Sequence, residues 1–135
     1  MKAAQRFAAR RAVVLGIMLL IAAAHVIGIG RLLQGELSAL YSSYFSDIVI
    51  PFGYYFLLLL PESQWRFFSR WETKAALVFL LPSAAETLQY FGIPLLGSTF
   101  DPLDYVMYAI GVISGAIVDT QIFARTFSFW AERRA

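Results

Sequence analysis

Four long apolar blocks constrain the fold of this sequence more than any other feature. They cover residues 12–30, 43–60, 73–91 and 103–124. An α-helix of about 20 residues crosses a hydrocarbon layer about 30 Å thick, and each block has roughly that length. Hydrophobic residues make up 59% of the chain and charged residues only 15%, whereas a soluble domain has about a quarter charged residues. The sequence therefore predicts an all-α membrane protein, a bundle of four transmembrane helices that forms one domain over residues 1–135.

The first block has an alternative interpretation as part of a secretory signal peptide. It follows a basic start, and Ala22-Ala23-Ala24 resembles the small residues at a cleavage site. The apolar run, however, continues past Ala24 to Gly30. We therefore interpret residues 12–30 as a membrane span.

The positive charges are distributed unevenly among the segments that flank the four blocks. Arg31 alone lies in the two connections at residues 31–42 and 92–102. The other ten of the eleven basic residues lie near the start, the end, or the connection between the second and third blocks. Basic residues accumulate on the cytoplasmic side, so both termini of this multi-pass protein of the cell membrane are predicted to be cytoplasmic. The ten residues are Lys2, Arg6, Arg10, Arg11, Arg66, Arg70, Lys74, Arg125, Arg133 and Arg134.

Acidic and amide side chains collect at the opposite, outer ends of the predicted spans. Glu86 and Gln89 are three residues apart and therefore share a helix face. Asp101 and Asp104 lie at the start of the fourth span, and Asp47 opens the second. At such positions Asp47 and Asp104 would cap their helices and complement the helix dipole. Glu86 lies about 7 Å inside its span, counting about 1.5 Å per residue, and capping does not explain it.

A carboxyl group within a bilayer is costly and therefore suggests a function. We predict an outward-facing acidic pocket in which Glu86, Gln89, Asp101 and Asp104 bind a ligand. The structural alternative is that Glu86 pairs with a residue on another helix and has Gln89 as its hydrogen-bonded neighbour.

Small residues in the fourth block predict close helix packing. Gly111 and Gly115 form a GxxxG motif, which lets a second helix approach closely, and we favour packing within the chain over homodimerisation. Asp119 is one turn further along the same face and is predicted to pair with Arg125 or Lys74 as a structural contact.

Aromatic residues flank the blocks where the membrane interface is predicted. Trp65, Trp71 and Trp130 are placed as an aromatic belt would be. The segments 62–74 and 36–45 could form short helices lying in the interface on opposite faces.

Several kinds of chemistry are excluded or unsupported by the composition. The chain has no cysteine and one histidine, His25, so cysteine-ligated zinc, disulfides and histidine-rich metal sites are ruled out. His25 lies at the right depth to reach the acidic pocket, although a structural role is the more common one for a lone histidine. No nucleophile with a matching base is visible, and we predict no catalytic residue, metal, cofactor or nucleic-acid partner.

Part of the sequence resembles the VanZ-like family of small membrane proteins. That family has a Glu-x-x-Gln on one span, an Asp-x-x-Asp entering the next, and then a Gly-x-x-x-Gly. The corresponding segments here, within residues 86–115, are Glu86-Thr-Leu-Gln89, Asp101-Pro-Leu-Asp104 and Gly111-Val-Ile-Ser-Gly115.

The sequence departs from the VanZ-like pattern at three polar positions. Ser98 and Thr99 replace a usual basic residue, Tyr108 replaces an Asn, and Pro51 replaces a His. The resemblance implies the four-helix scaffold and an association with resistance to teicoplanin-type glycopeptide antibiotics.

Three functional hypotheses from different classes follow. The first is a VanZ-like envelope protein whose outer pocket binds a lipid or glycolipid headgroup or a glycopeptide-type amphiphile, with membrane lipids as its partners. The second is an accessory subunit of a larger membrane protein complex. The third is a metal- or acid-dependent enzyme that acts on a lipid-linked substrate.

Overall fold

The computed structural model describes residues 1–95 and 99–130, and within these residues it contains helices and turns but no strand. Ser98, at a departure from the VanZ-like pattern, and Arg133 and Arg134, two of the ten basic residues, lie outside the described residues. Short 3₁₀ segments occupy Ile29–Leu32, Leu60–Ser63 and Arg66–Ser69. The long helices are α1 (Ala3–Ile27), α2 (Glu36–Leu57), α3 (Trp71–Tyr90) and α4 (Pro102–Ile117).

Three helical segments are long and apolar enough to cross a membrane, which confirms the helical fold class and its apolar character. They are Ala3–Ile27, Glu36–Ser63 and Pro102–Thr126. The last one contains α4 and continues through a π-helical turn at Val118–Phe123. The remaining long helix, α3, is less apolar because it carries Glu72, Lys74 and Glu86.

The helices extend beyond the apolar blocks in two places. The basic N-terminal segment is already helical, since α1 begins at Ala3. The segment 36–45, predicted as a separate interfacial helix, is the first half of α2. The prediction of another interfacial helix at 62–74 is also wrong, because the segment is divided between two 3₁₀ turns, which end at Ser63 and Ser69, and α3, which begins at Trp71.

Glycines of α4 allow this helix to lie directly against α2. A Cβ atom on Gly111 would overlap the carbonyl oxygen of Ile48, and one on Gly115 would lie 3.1 Å from the Cβ of Tyr55. The GxxxG motif therefore packs within the chain. The buried apolar core of the described residues consists of Val14, Tyr55, Phe56, Leu59, Val78, Val112, Ala116 and Trp130.

Side-chain contacts place the four helices in alternating directions. At one end, Arg10 of α1 reaches the carbonyl groups of Phe129 and Trp130 beyond α4. At the other end, His25 of α1 contacts Ser46 of α2. The first helix packs least closely, and Val14 is its one buried residue.

Candidate functional site

One end of the bundle gathers four carboxylates from three helices, and we call it the acidic end. It consists of Asp47 on α2, Glu86 on α3, and Asp101 and Asp104 at the start of α4. These groups lie close enough for their charges to interact with one another. The Tyr44 side chain, one turn before Asp47, lies near the Asp101 carboxylate. Three of the four residues predicted to bind a ligand, Glu86, Asp101 and Asp104, thus come together here, with Asp47 added.

Glu86 joins α3 to the start of α4. It is 3% exposed, and its Oε1 accepts a hydrogen bond of 2.7 Å from the backbone N–H of Asp101. Asp101 is the N-cap of α4, where its carboxylate accepts a 2.9 Å bond from the Leu103 N–H. A buried carboxyl thus holds the backbone of the residue that starts the next helix, which fixes the geometry between Glu86 and Asp101.

Asp47 does not cap a helix, contrary to the sequence prediction. Since α2 begins at Glu36, Asp47 lies about three turns inside it. Pro51 is four residues later and has no N–H, so it cannot donate the usual helical hydrogen bond to the Asp47 carbonyl. Both the side chain and the backbone oxygen of Asp47 therefore remain as acceptors in the interior of the helix.

Two residues on α3 flank Glu86 with buried oxygen atoms that have no hydrogen-bond partner among the described residues. These atoms are Oγ of Ser83, a residue 8% exposed, and Oε1 of Gln89. The Gln89 amide instead donates its N–H to the Leu95 carbonyl at 2.7 Å. Gln89 therefore anchors the connection after α3 and is not the hydrogen-bonded neighbour of Glu86. Buried polar atoms are nearly always paired, so these two oxygens are exceptions within the described residues.

No Lys or Arg within residues 1–95 and 99–130 forms an ion pair with the four carboxylates. The same residues contain no group of three or more His, Cys, Asp or Glu side chains arranged to hold a metal ion. The acidic end thus has an excess of negative charge and acceptor oxygens without a cation from these parts of the chain to neutralise it.

His25 lies at the same end of the bundle but has other contacts. Its ring nitrogens lie 2.8 Å from the Ile21 carbonyl and 3.0 Å from the Ser46 hydroxyl. Its ring packs against Phe45 at a centroid distance of 5.3 Å. The histidine therefore links α1 to α2.

A second polar cluster lies at the opposite end, and we call it the Lys74–Asp119 network. Lys74 Nζ and the Tyr55 hydroxyl donate to Asp119 Oδ2 at 2.9 and 2.8 Å, and Trp130 Nε1 donates to Oδ1 at 2.7 Å. Glu62 lies 3.8 Å from Lys74. Lys74 and Tyr55 are 0% exposed, Trp130 2% and Asp119 4%, so the network is inside the protein.

The Lys74–Asp119 network combines one correct and one incorrect prediction. Asp119 pairs with Lys74, as one of the two predicted partners, whereas Arg125 donates to Gln121. Trp130 was placed in an interfacial belt but is buried against Asp119. A buried indole N–H requires a hydrogen-bond acceptor. The Asp119 carboxylate in the preceding helical segment was the feature of the sequence that could have indicated a buried Trp130.

Comparison of the chain with protein-family models, with curated proteins and with solved structures gives no match. The resemblance of residues 86–115 to the VanZ-like family therefore stays a prediction based on the motifs themselves.

Proposed function

We propose that this chain is a VanZ-like, four-span protein of the cell envelope whose acidic end faces outward and binds the polar headgroup of an amphiphile. The amphiphile would be a lipid, a glycolipid or a glycopeptide-type molecule. The proposal rests on the four carboxylates of the acidic end, which lie close together. No Lys or Arg from the described part of the chain forms an ion pair with them. Like charges held together cost Coulomb energy, so such an arrangement favours a ligand that reduces the repulsion.

The burial pattern of α3 supports its assignment as a membrane span despite its charges. Lys74, Ser83 and Glu86 are buried inside the bundle, so they would not contact lipid. The exposed positions in the middle of the helix are apolar. A helix that hides its polar residues against neighbouring helices is suited to a membrane. These exposed positions are Ala76, Leu80, Leu81 and Ala84.

The position of the charged residues supports an outward orientation of the acidic end. Arg10 and Lys74 lie in or beside the Lys74–Asp119 network, and Arg66 and Arg70 lie in the connection between α2 and α3 at the same end. The acidic end has Arg31 as its one nearby basic residue within the described parts of the chain. Because basic residues tend to remain in the cytoplasm, this distribution supports a location of the acidic end outside.

The test is a purification of the full chain from its native membrane in mild detergent, followed by mass spectrometry of the lipids that remain bound. We expect one class of amphiphile to be retained by the wild type and lost from Asp104→Asn. Glu72→Gln is the matched control, because Glu72 is an exposed carboxylate at the other end and pairs only loosely with Arg70 at 3.8 Å. Equal lipid content in all three proteins would contradict a headgroup site at the acidic end.

A second candidate function is that of an accessory subunit in a membrane complex, and the packing of α1 favours it. In the apolar stretch of α1, 6% of the residues are buried inside the protein. The corresponding share is 28% in the apolar stretches of Glu36–Ser63 and Pro102–Thr126. A helix attached so loosely has a face that another membrane protein could cover. Co-elution of such a protein in fixed ratio during the same purification would support this candidate, and elution of the chain alone would contradict it.

A further inference from the structure

The connection between α2 and α3 exposes aromatic and basic side chains together, and we call its residues 65–71 the basic turn. The 3₁₀ segment Arg66–Ser69 forms its centre, and the flanking residues Trp65 and Arg70 have extended backbones. Trp65 is 62% exposed, Phe67 58% and Trp71 44%. Large apolar side chains that are exposed in a group, rather than singly, mark an interaction surface. The basic turn therefore presents three aromatic rings to a partner outside the bundle.

The two arginines of the basic turn have positive charge to offer to such a partner. Arg66 forms no ion pair with another described residue. Arg70 lies 3.8 Å from Glu72, but more than half of each of these two side chains is exposed, and an exposed pair of this kind is weak. The turn is instead held by the Ser69 hydroxyl, which donates to the Arg66 carbonyl at 2.6 Å. The conformation of the turn thus does not depend on the two guanidinium groups.

The start of α1 adds positive charge beside the basic turn. Arg10 of α1 lies 4.0 Å from Glu62, which directly precedes the turn, so the first turns of α1 are next to this connection. Lys2 and Arg11, on the same part of the chain, are exposed. The carboxylates Glu62 and Asp119 are buried in or beside the Lys74–Asp119 network and do not offset the surface charge. The exposed charge around the turn is therefore mainly positive.

The position of the basic turn along the chain specifies the kind of partner. The apolar segment Glu36–Ser63 is long enough to cross a membrane, and the turn begins two residues after its end. This is the depth of the lipid headgroups, where aromatic rings enter the apolar boundary and basic residues meet anionic lipids. Arginine also binds phosphate through two parallel hydrogen bonds. We infer that the basic turn binds anionic phospholipids, with its rings beside the acyl chains and Arg66 and Arg70 on the phosphate.

The experiment is tryptophan quenching by brominated lipids, with the full chain reconstituted in phosphatidylcholine vesicles. Two of the three tryptophans, Trp65 and Trp71, are the ends of the basic turn, and the third, Trp130, is buried. The quencher is a small fixed fraction of brominated phosphatidylglycerol or, in parallel, of brominated phosphatidylcholine. We expect the turn to prefer phosphatidylglycerol at least about fivefold, since one basic residue near an anionic surface contributes about that factor.

Three variants connect the preference to the two arginines. Arg66→Gln combined with Arg70→Gln is expected to reduce the preference to less than about twofold, and the corresponding double change to Lys, which keeps the charge, is expected to retain it. Arg31→Gln is the matched control, because Arg31 is an exposed basic residue in the 3₁₀ segment at the opposite end of the bundle. It should be quenched as the wild type is.

Each outcome supports or overturns the assignment. Equal quenching of the wild type by both brominated lipids, or a preference that survives the double Gln change, would overturn it. If inorganic phosphate added to the vesicles removes the preference, the ligand is a free anion and the lipid assignment is wrong. The basic turn lies at the opposite end from the acidic end, so these results are independent of the lipid loss expected for Asp104→Asn under the proposed function.

Discussion

Replacement of Asp119 tests whether the Lys74–Asp119 network holds the basic end of the bundle together. Asp119→Asn keeps the shape of the side chain but removes the charge that faces Lys74 Nζ at 2.9 Å, while Lys74 stays fully buried. Removing one partner of a buried ion pair costs about 3–5 kcal/mol, because the other charge is left uncompensated. Glu62, at 3.8 Å from Lys74, retains part of the compensation. We therefore expect a loss near the lower limit, about 3 kcal/mol of unfolding free energy.

The assay is reversible unfolding in mixed micelles of mild detergent and sodium dodecyl sulfate, followed by tryptophan fluorescence. Trp130 contacts Asp119 directly, so it adds a signal from the network to the signals of the exposed Trp65 and Trp71. Lys74→Met combined with Asp119→Leu should cost less than the sum of the single changes, because it leaves no isolated charge. The control Glu72→Gln should change the unfolding free energy by at most about 1 kcal/mol, since its pair is exposed. If Asp119→Asn also stays within that limit, the assumption that the charges are desolvated is refuted.

Three further predictions concern packing, topology and the C-terminal segment. Gly111→Ala should cost about 1–3 kcal/mol of unfolding free energy, because the new methyl group overlaps the Ile48 carbonyl. The control is Gly16→Ala, whose methyl group meets nothing within 4 Å and which should be close to neutral in the same unfolding assay. The chain contains no cysteine, so single-cysteine variants report topology: in intact cells Gln34→Cys should react with an impermeant maleimide and Ser63→Cys should not, and the reverse result would invert the orientation. Trp130→Phe removes a charge-assisted hydrogen bond and should lower the unfolding free energy by about 1.5–3 kcal/mol, and an unchanged value would show that the indole contact with Asp119 does not stabilise the fold.

Apolar blocks were sufficient to predict that four long helices exist but not where they begin. The first half of α2 contains Ser and Tyr residues between its leucines, so no hydropathy pattern marks its start at Glu36. The error at Asp47 follows from this: a residue expected at a helix start lies well inside the helix. Helical hydrogen bonding continues beyond an apolar run wherever the backbone has no breaker, and hydropathy does not detect this.

The acidic end could be predicted from the sequence because alternating helix direction alone brings one end of α2, α3 and α4 together there. The Lys74–Asp119 network was only partly predictable, since Tyr55 and Asp119 are 64 residues apart and meet through tertiary packing. Glu86 and Gln89 share a helix, yet their partners are the Asp101 N–H and the Leu95 carbonyl in the following connection. Sequence spacing identified the shared face but not the partners.

The two polar clusters differ in a way that assigns them different roles. Asp119 accepts from a lysine, a tyrosine and a tryptophan, so its charge and both of its oxygens are satisfied by the protein. The acidic end has four carboxylates and two unpartnered oxygens, with no ion pair from the described residues. A satisfied buried network rigidifies a fold, whereas an unsatisfied one raises the free energy of the empty protein. The same helix, α4, begins at the unsatisfied cluster and its continuation reaches Asp119, so the network fixes the helix that presents Asp104. Stability is thus concentrated at one end, and the proposed headgroup site lies at the other.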